Sequence, residues 1–167
     1  MRTTIEGRII VLGDNIDTDQ IVPGRYIELV DPEEIGRHCL EGVDPNIAGS
    51  FPKGGIVVAG TNFGCGSSRE HAAIALISMG ASAVLADSFA RIFFRNAINL
   101  GLPLIVCPGI SGKVREGQTL TADLSNGTVK VKETGDTYAC EKMGDQALLI
   151  LEAGGIKPLT RKRLGLD

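Results

Sequence analysis

Three short runs of unbroken apolar residues, 56–60 (IVVAG), 82–86 (SAVLA) and 103–107 (PLIVC), are spaced through the middle of the chain. Runs of this length without polar alternation mark strands buried on both faces. Between them, residues 68–80 place Ala72, Leu76 and Met79 on one helical face. Residues 89–100 (FARIFFRNAINL) predict a second helix, stopped by Gly101 and Pro103. The order strand–helix–strand–helix–strand predicts a parallel α/β core.

The flanking segments carry other patterns. Residues 5–12 (IEGRIIVL) predict a first strand weakened by Gly7, and residues 21–30 (IVPGRYIELV) a loop or short strand. Residues 31–41 predict a short helix with Asp31 as N-cap and Pro32 at its first position. The Gly- and Pro-rich stretch 43–55 predicts a surface loop. Past the core, residues 117–133 alternate around Asn126-Gly127, the sequence signal of an added β-hairpin. A last helix is expected over 145–153, followed by a basic tail with Arg161, Lys162 and Arg163.

Composition narrows the function classes. The 167 residues fit a single domain, 1–167. A net charge of −3, 4% aromatics and no Trp argue against a nucleic-acid partner, so the basic tail reads as a solvated helix end. No apolar run approaches the ~18 residues of a membrane span, and the N-terminal MRTTIEGRIIV lacks a signal-peptide core, so a cytoplasmic protein without membrane contact is expected. Cys39, Cys65, Cys107 and Cys140 form no CxxC pair and are expected as free thiols, with no metal site on this chain. Asp14, Asp17 and Asp19 fail as a calcium loop, because Ile21 and Val22 stand where a ligand and a glycine are required; Asx-type turns are expected instead. His71 is given a structural role, and Arg91 and Arg95, one turn apart, either face a cleft or pair with acids.

The stretch richest in chemistry is Gly60-Thr-Asn-Phe-Gly-Cys-Gly-Ser67-Ser68-Arg69-Glu70-His71. A buried strand ends, glycines make a turn, and a helix begins. Ser67 and Glu70 have the spacing of a capping box, which places Ser67 at a helix N-terminus, a natural seat for an anion. Arg69 adds a planar, bidentate carboxylate donor. The stretch lacks the Lys of a phosphate-binding P-loop, the third glycine of a dinucleotide fingerprint and the spacing of a nucleophile elbow.

GTNFGCGSSREHA followed by DSFARIFFRNAINLG, preceded by GDNIDTDQIVPGRY, resembles the swivel domain of the aconitase family in its stand-alone form. That form is the small subunit of 3-isopropylmalate dehydratase and of homoaconitase. The resemblance covers residues 13–101 in order and is loose in the C-terminal third. It implies a layered β/β/α swivel domain with a parallel core sheet. It further implies a hydro-lyase of two chains, inactive without its large subunit, which would carry a four-iron, four-sulfur cluster on three cysteines. Ser67 matches the family's serine base, Arg69 the arginine that holds a substrate carboxylate, and Ser68 lies beside them. The loop Tyr26, Ile27, Glu28 and Leu29 matches the segment that reads the substituent on the malate backbone. Homoaconitases resemble one another in carrying Arg at the position of Glu28, and isopropylmalate enzymes an aliphatic residue. Glu28 departs from both, which disfavours an extra carboxylate; 2-isopropylmalate is the substrate expected, with another alkyl-malate (dimethylmalate, citramalate) or homoaconitate as the alternative. A non-catalytic carboxylate-binding module is the alternative of another class.

Energetics agree with a base that needs a partner. A helix N-terminus contributes at most ~2 kcal/mol to an anion. An arginine at contact adds about 4 kcal/mol at an effective dielectric near 20. Together these fall short of ionising a serine hydroxyl at neutral pH. The loop from Gly24 to Glu34 is expected to be poorly ordered, or held differently, without the partner, because Ile27 and Leu29 have no evident local core.

Overall fold

The computed structural model describes residues 3–166. Its strands are β1 (Thr4–Val11), β2 (Ile56–Ala59), β3 (Ala83–Ala86), β4 (Leu104–Val106), β5 (Thr119–Asp123), β6 (Thr128–Val131) and β7 (Thr137–Ala139). Its α-helices are α1 (Thr18–Ile21), α2 (Pro32–Arg37), α3 (Ile47–Ser50), α4 (Glu70–Met79), α5 (Arg91–Asn99), α6 (Asp145–Ala153) and α7 (Ile156–Arg163).

The strands run in the order β4-β3-β2-β1-β5-β6-β7. β1 is shared between two halves of different chemistry. Its end, Ile9–Val11, pairs parallel with Ile56–Val58 of β2, while its start, Thr4–Arg8, pairs antiparallel with Thr119–Asp123 of β5. The parallel half, β1-β2-β3-β4, is the predicted α/β core, and all four residues of β2 and of β3 are buried.

Alternation along these strands builds two cores. Val57, Ala59, Val84, Ala86 and Leu104 face the helices, where Ala72, Ala73, Ala75 and Leu76 of α4 and Phe93 and Ala97 of α5 meet them. Ile56, Val58, Ala83, Leu85 and Ile105 face the other way, onto Leu120 and Ala122 of β5 and Val129 and Val131 of β6. The result is the expected β/β/α layering. Each wholly buried Leu or Ile contributes roughly 1.5–3 kcal/mol.

Local chemistry accounts for most element ends. Asp31 Oδ1 accepts from the Glu33 N–H and caps α2, with Pro32 at its first position. Gly80, at φ 109°, closes α4 in the left-handed conformation that glycine favours. Gly36 sits inside α2, where glycine costs ~1 kcal/mol against alanine. A Cβ there would stand 2.7 Å from Ser78 Cβ, so its bareness lets α2 lie close against α4.

Several expectations are corrected. The hairpin turn spans Leu124 to Gly127, four residues with Asp123 Oδ1 accepting from the Asn126 N–H, and a third strand, β7, extends the hairpin to a meander. The basic tail is a separate helix, α7, whose buried Leu159 anchors it to the core. Of the two forms expected for residues 21–30 the loop is the one present: α1 ends at Ile21 and a 3₁₀ turn covers Gly24–Tyr26. Among the described residues, no helix is long and apolar enough to cross a membrane.

Candidate active site

The glycine-rich turn after β2 is held by long-range pairing. The Thr18 N–H donates to the Cys65 carbonyl at 2.8 Å, and the Gly64 N–H to the Ile16 carbonyl at 2.8 Å. These bonds lay residues 64–66 beside the start of α1. Gly64 (φ 85°) and Gly66 (φ 100°) are both left-handed, and a Cβ on Gly64 would come within 2.3 Å of the Phe93 ring. Phe63 is fully buried beneath the turn, edge-on to Phe93 and Phe89 at centroid distances of 5.5 and 6.1 Å.

That pairing overturns the expected capping box at Ser67. α4 begins at Glu70, its N-cap is Arg69 in extended conformation, and no side chain caps it. The pairing with residues 16–18 takes in Gly64 and Cys65, the chain bends at Gly66 and Ser67, and the helix starts only three residues later. Ser67 and Ser68 are therefore exposed and free of capping bonds. The helix dipole acts over about one turn, so it assists Ser67 less than the local spacing suggested. A capping box does form, at α1. Asp17 Oδ1 accepts from the Gln20 N–H at 2.8 Å, while Gln20 Oε1 accepts from the Asp17 N–H at 3.0 Å.

The other aspartates of that segment are spent on backbone too. Asp14 Oδ1 accepts from the Thr61 N–H at 2.8 Å, 47 residues away, and Asp19 Oδ1 from the Gly24 N–H at 2.8 Å, five residues on, in place of the Asx-type turns expected of them. Among the described residues, no three His, Cys, Asp or Glu side chains converge as metal ligands. Cys39 and Cys107 lie in opposite cores and Cys65 in the glycine turn, so the four thiols do not meet around a cluster. Burial pushes the Cys39 thiol up, and a hydrogen bond from the Cys140 thiol holds Cys107 down.

The sequence-predicted residues meet at a cleft of ≈ 280 Å³ between the glycine turn and the start of α5, lined by Ser67, Ser68, Arg69, Thr18, Arg91 and Asn96 among others. Thr18, 2% exposed, and Asn96 were not singled out by their sequence context; only the fold places them here. Arg91 is the member of the Arg91–Arg95 pair that lines this cleft, and it makes no ion pair among the described residues. Arg69 is 81% buried at its side chain, and its Nη1 donates to the Val22 carbonyl at 3.1 Å and reaches Asp19 Oδ1 at 3.4 Å. Its remaining N–H groups are left for another acceptor.

The loop Tyr26–Leu29 follows Val22 after Pro23, Gly24 and Arg25. Ile27 and Glu28 are exposed, whereas Leu29 is half-buried against the helical core, so the expectation that both apolar residues lack a local core holds for Ile27 alone. The loop is held in place rather than loose. The Tyr26 hydroxyl donates to Glu41 at 2.7 Å, and His71 Nε2 donates to the Leu29 carbonyl at 2.9 Å. The structural role expected of His71 is this bond.

Comparison with known proteins places these features in company. A family model described as "Aconitase C-terminal domain" matches residues 51–108. The "3-isopropylmalate dehydratase small subunit 1" of Methanopyrus kandleri is 51% identical over 162 residues, covering 97% of this chain and 95% of that protein. The "isopropylmalate/citramalate isomerase small subunit" of Methanocaldococcus jannaschii is 48% identical over 164 residues, covering 98% of each. A crystal structure of 3-isopropylmalate dehydratase from Methanocaldococcus jannaschii superposes with a TM-score of 0.92 at 42% identity, covering 96% of this chain and 95% of that one.

Proposed function

This chain belongs to the family of 3-isopropylmalate dehydratase small subunits, and from that premise we propose that it supplies the serine base and a carboxylate anchor for interconverting 2- and 3-isopropylmalate. The observation that carries the reading is the cleft in which Ser67, Ser68 and Arg69 stand together.

In this reading Ser67 takes the proton from the carbon beside a substrate carboxylate as the neighbouring carbon loses its hydroxyl, so that water leaves and a carbon–carbon double bond forms; water then adds in the opposite sense, the proton returning one carbon away and the hydroxyl going to the carbon first deprotonated. Arg69 presents the N–H groups it does not use on Val22 to that carboxylate, fixing the distance to Ser67. The same positive charge lowers the cost of an alkoxide at Ser67. Ser68, Thr18 and Asn96 offer further hydroxyl and amide groups along the wall.

The cleft is open to solvent on the side where Ser67 is exposed, and a strong base requires water to be excluded. A large subunit closing over it meets that need. The four-iron, four-sulfur cluster assigned to that partner would act as Lewis acid on the substrate hydroxyl, chemistry the scattered thiols of this chain are not placed to supply. The complex is placed in the cytoplasm and in leucine biosynthesis.

A second reading, that the enzyme also accepts citramalate, is favoured by the loop. Ile27 and Val30 are exposed apolar groups that suit an alkyl substituent, Glu28 repels an added carboxylate, and a 48% identical relative is named for both substrates. Anaerobic reconstitution with the candidate large subunit tests both, with 2-isopropylmalate, citramalate and homoaconitate offered in turn. Turnover of the first, with or without the second, and none by the small chain alone is expected. Exclusive turnover of homoaconitate, or cluster absorbance bound by this chain alone, overturns the reading.

A further inference from the structure

Glu41 lies outside the glycine turn and outside the cleft, yet three side chains converge on its carboxylate. Arg25 Nη2 donates to Oε1 at 2.6 Å, the Tyr26 hydroxyl to Oε1 at 2.7 Å, and His38 Nδ1 to Oε2 at 2.7 Å. The Tyr26 ring stacks on the His38 ring at 3.7 Å and 10°, and the Arg25 guanidinium lies 4.7 Å over the Tyr26 ring. A carboxylate with no proton to donate suits a site made only of donors.

The backbone that aims Glu41 is unusual. Leu40 is left-handed at φ 60°, a conformation disfavoured for a residue with a branched side chain, and its side chain is fully buried. Its N–H donates to the Ile21 carbonyl at 2.8 Å, one residue before the Val22 carbonyl that holds Arg69. Strain of this kind persists where the surrounding structure over-determines it, and such places concentrate at sites that need a fixed geometry. Here the twist turns Glu41 back toward residues 25 and 26.

We propose that Glu41 is a positioning residue for substrate selection, fixing the Tyr26–Leu29 loop from one end while His71 fixes it from the other, so that Ile27 and Glu28 meet the substituent in one orientation. The inference rests on the function proposed above. Glu41 touches no substrate in this scheme and acts through Tyr26. The hydrogen bonds from Tyr26 and His38 hold its carboxyl down to about 2, so the anion that organises the loop is present throughout the neutral range.

The test is Glu41→Gln, with Tyr26→Phe as the milder variant that removes one donor, each in the reconstituted complex. Removal of the clamp is expected to raise KM for 2-isopropylmalate and to move the ratio of its kcat/KM to that of citramalate by at least about threefold, a modest specificity change of the kind pocket contacts produce. For Glu41→Gln, kcat on the preferred substrate is expected to stay within about twofold, since the groups at the reacting carbon are untouched. Amide exchange at Ile27 and Leu29, whose N–H groups donate to Gly24 and Tyr26 carbonyls, is expected to accelerate at least ~10-fold while the β2 and β3 amides keep their protection. An equal loss on both substrates with an unchanged ratio makes Glu41 merely structural and overturns the inference. A wild-type complex inert on both substrates counts against the proposed function; the clamp is then judged by exchange alone, and unchanged exchange at Ile27 and Leu29 overturns it.

Discussion

The Arg69 side chain donates through Nη1 to the Val22 carbonyl at 3.1 Å, across 47 residues of sequence. The arginine proposed for a substrate carboxylate is thereby tied to the buried residue from which the chain leads, through Pro23–Arg25, into the loop proposed to read the substituent.

Ser67→Ala is expected to abolish turnover in the complex, with a loss of at least ~10²–10⁴-fold for the missing base. Because Ser67 is exposed and caps no helix, the change should leave stability within about 0.5 kcal/mol, rather than the ~1 kcal/mol of a lost cap. Turnover and urea midpoint measured on the same preparation decide this, and near-normal turnover removes Ser67 from the chemistry.

Arg69→Lys should raise KM more than it lowers kcat. A single ammonium cannot bond the Val22 carbonyl and also present a planar fork to a carboxylate. Steady-state kinetics on 2-isopropylmalate check it; an unchanged KM takes Arg69 out of substrate binding.

Glu28→Arg should shift preference toward a substrate with an added carboxylate, through a charge-assisted pair of ~1.5–3 kcal/mol. Glu28 is exposed, so the change has little packing cost. The ratio of kcat/KM for 2-isopropylmalate to that for homoaconitate should move by about tenfold or more, the least that such a pair would produce, and a shift under about threefold dismisses the loop as the reader of the substituent.

The Glu41 carboxylate that receives the clamp's donors should stay ionised across the neutral range and be lost only in acid. Glu41 faces Arg25, Tyr26 and His38, and its folded-state value of about 2 lies below the ordinary 4.5. A depressed carboxyl contributes stability that is fully present above about 4.5 and is lost as pH falls through about 2. A carboxyl-carbon NMR titration should place its midpoint near 2; a midpoint at the ordinary value dismisses the donor cluster.

Gly64→Ala should destabilise the protein by about 2–5 kcal/mol, combining a left-handed alanine with a clash in a packed core. The added Cβ would lie 2.3 Å from the Phe93 ring under the cleft. A denaturant midpoint within error of wild type would show that the turn accommodates a side chain.

Much of this protein was legible in short windows of sequence. The apolar runs at 56–60, 82–86 and 103–107 are the strands β2, β3 and β4, and the two helices between them lie within two residues of their expected bounds. Asp31 acts as the cap its type suggests, and Ser67, Ser68 and Arg69 share one cleft. These features depend on side-chain period, backbone freedom and hydrogen bonds within a few residues. The tertiary structure alone decided what depends on contact between distant segments. The bond from Thr18 to the Cys65 carbonyl moved the start of α4 past Ser67 and so cancelled a capping box whose spacing was locally correct. The division of β1 between two sheets, the burial of Thr18 beside the cleft and the meeting of Glu41 with Arg25 and Tyr26 have no local signal. Each arises because burying apolar faces fixes where whole segments lie, and polar groups then satisfy themselves with whatever partners that packing brings near.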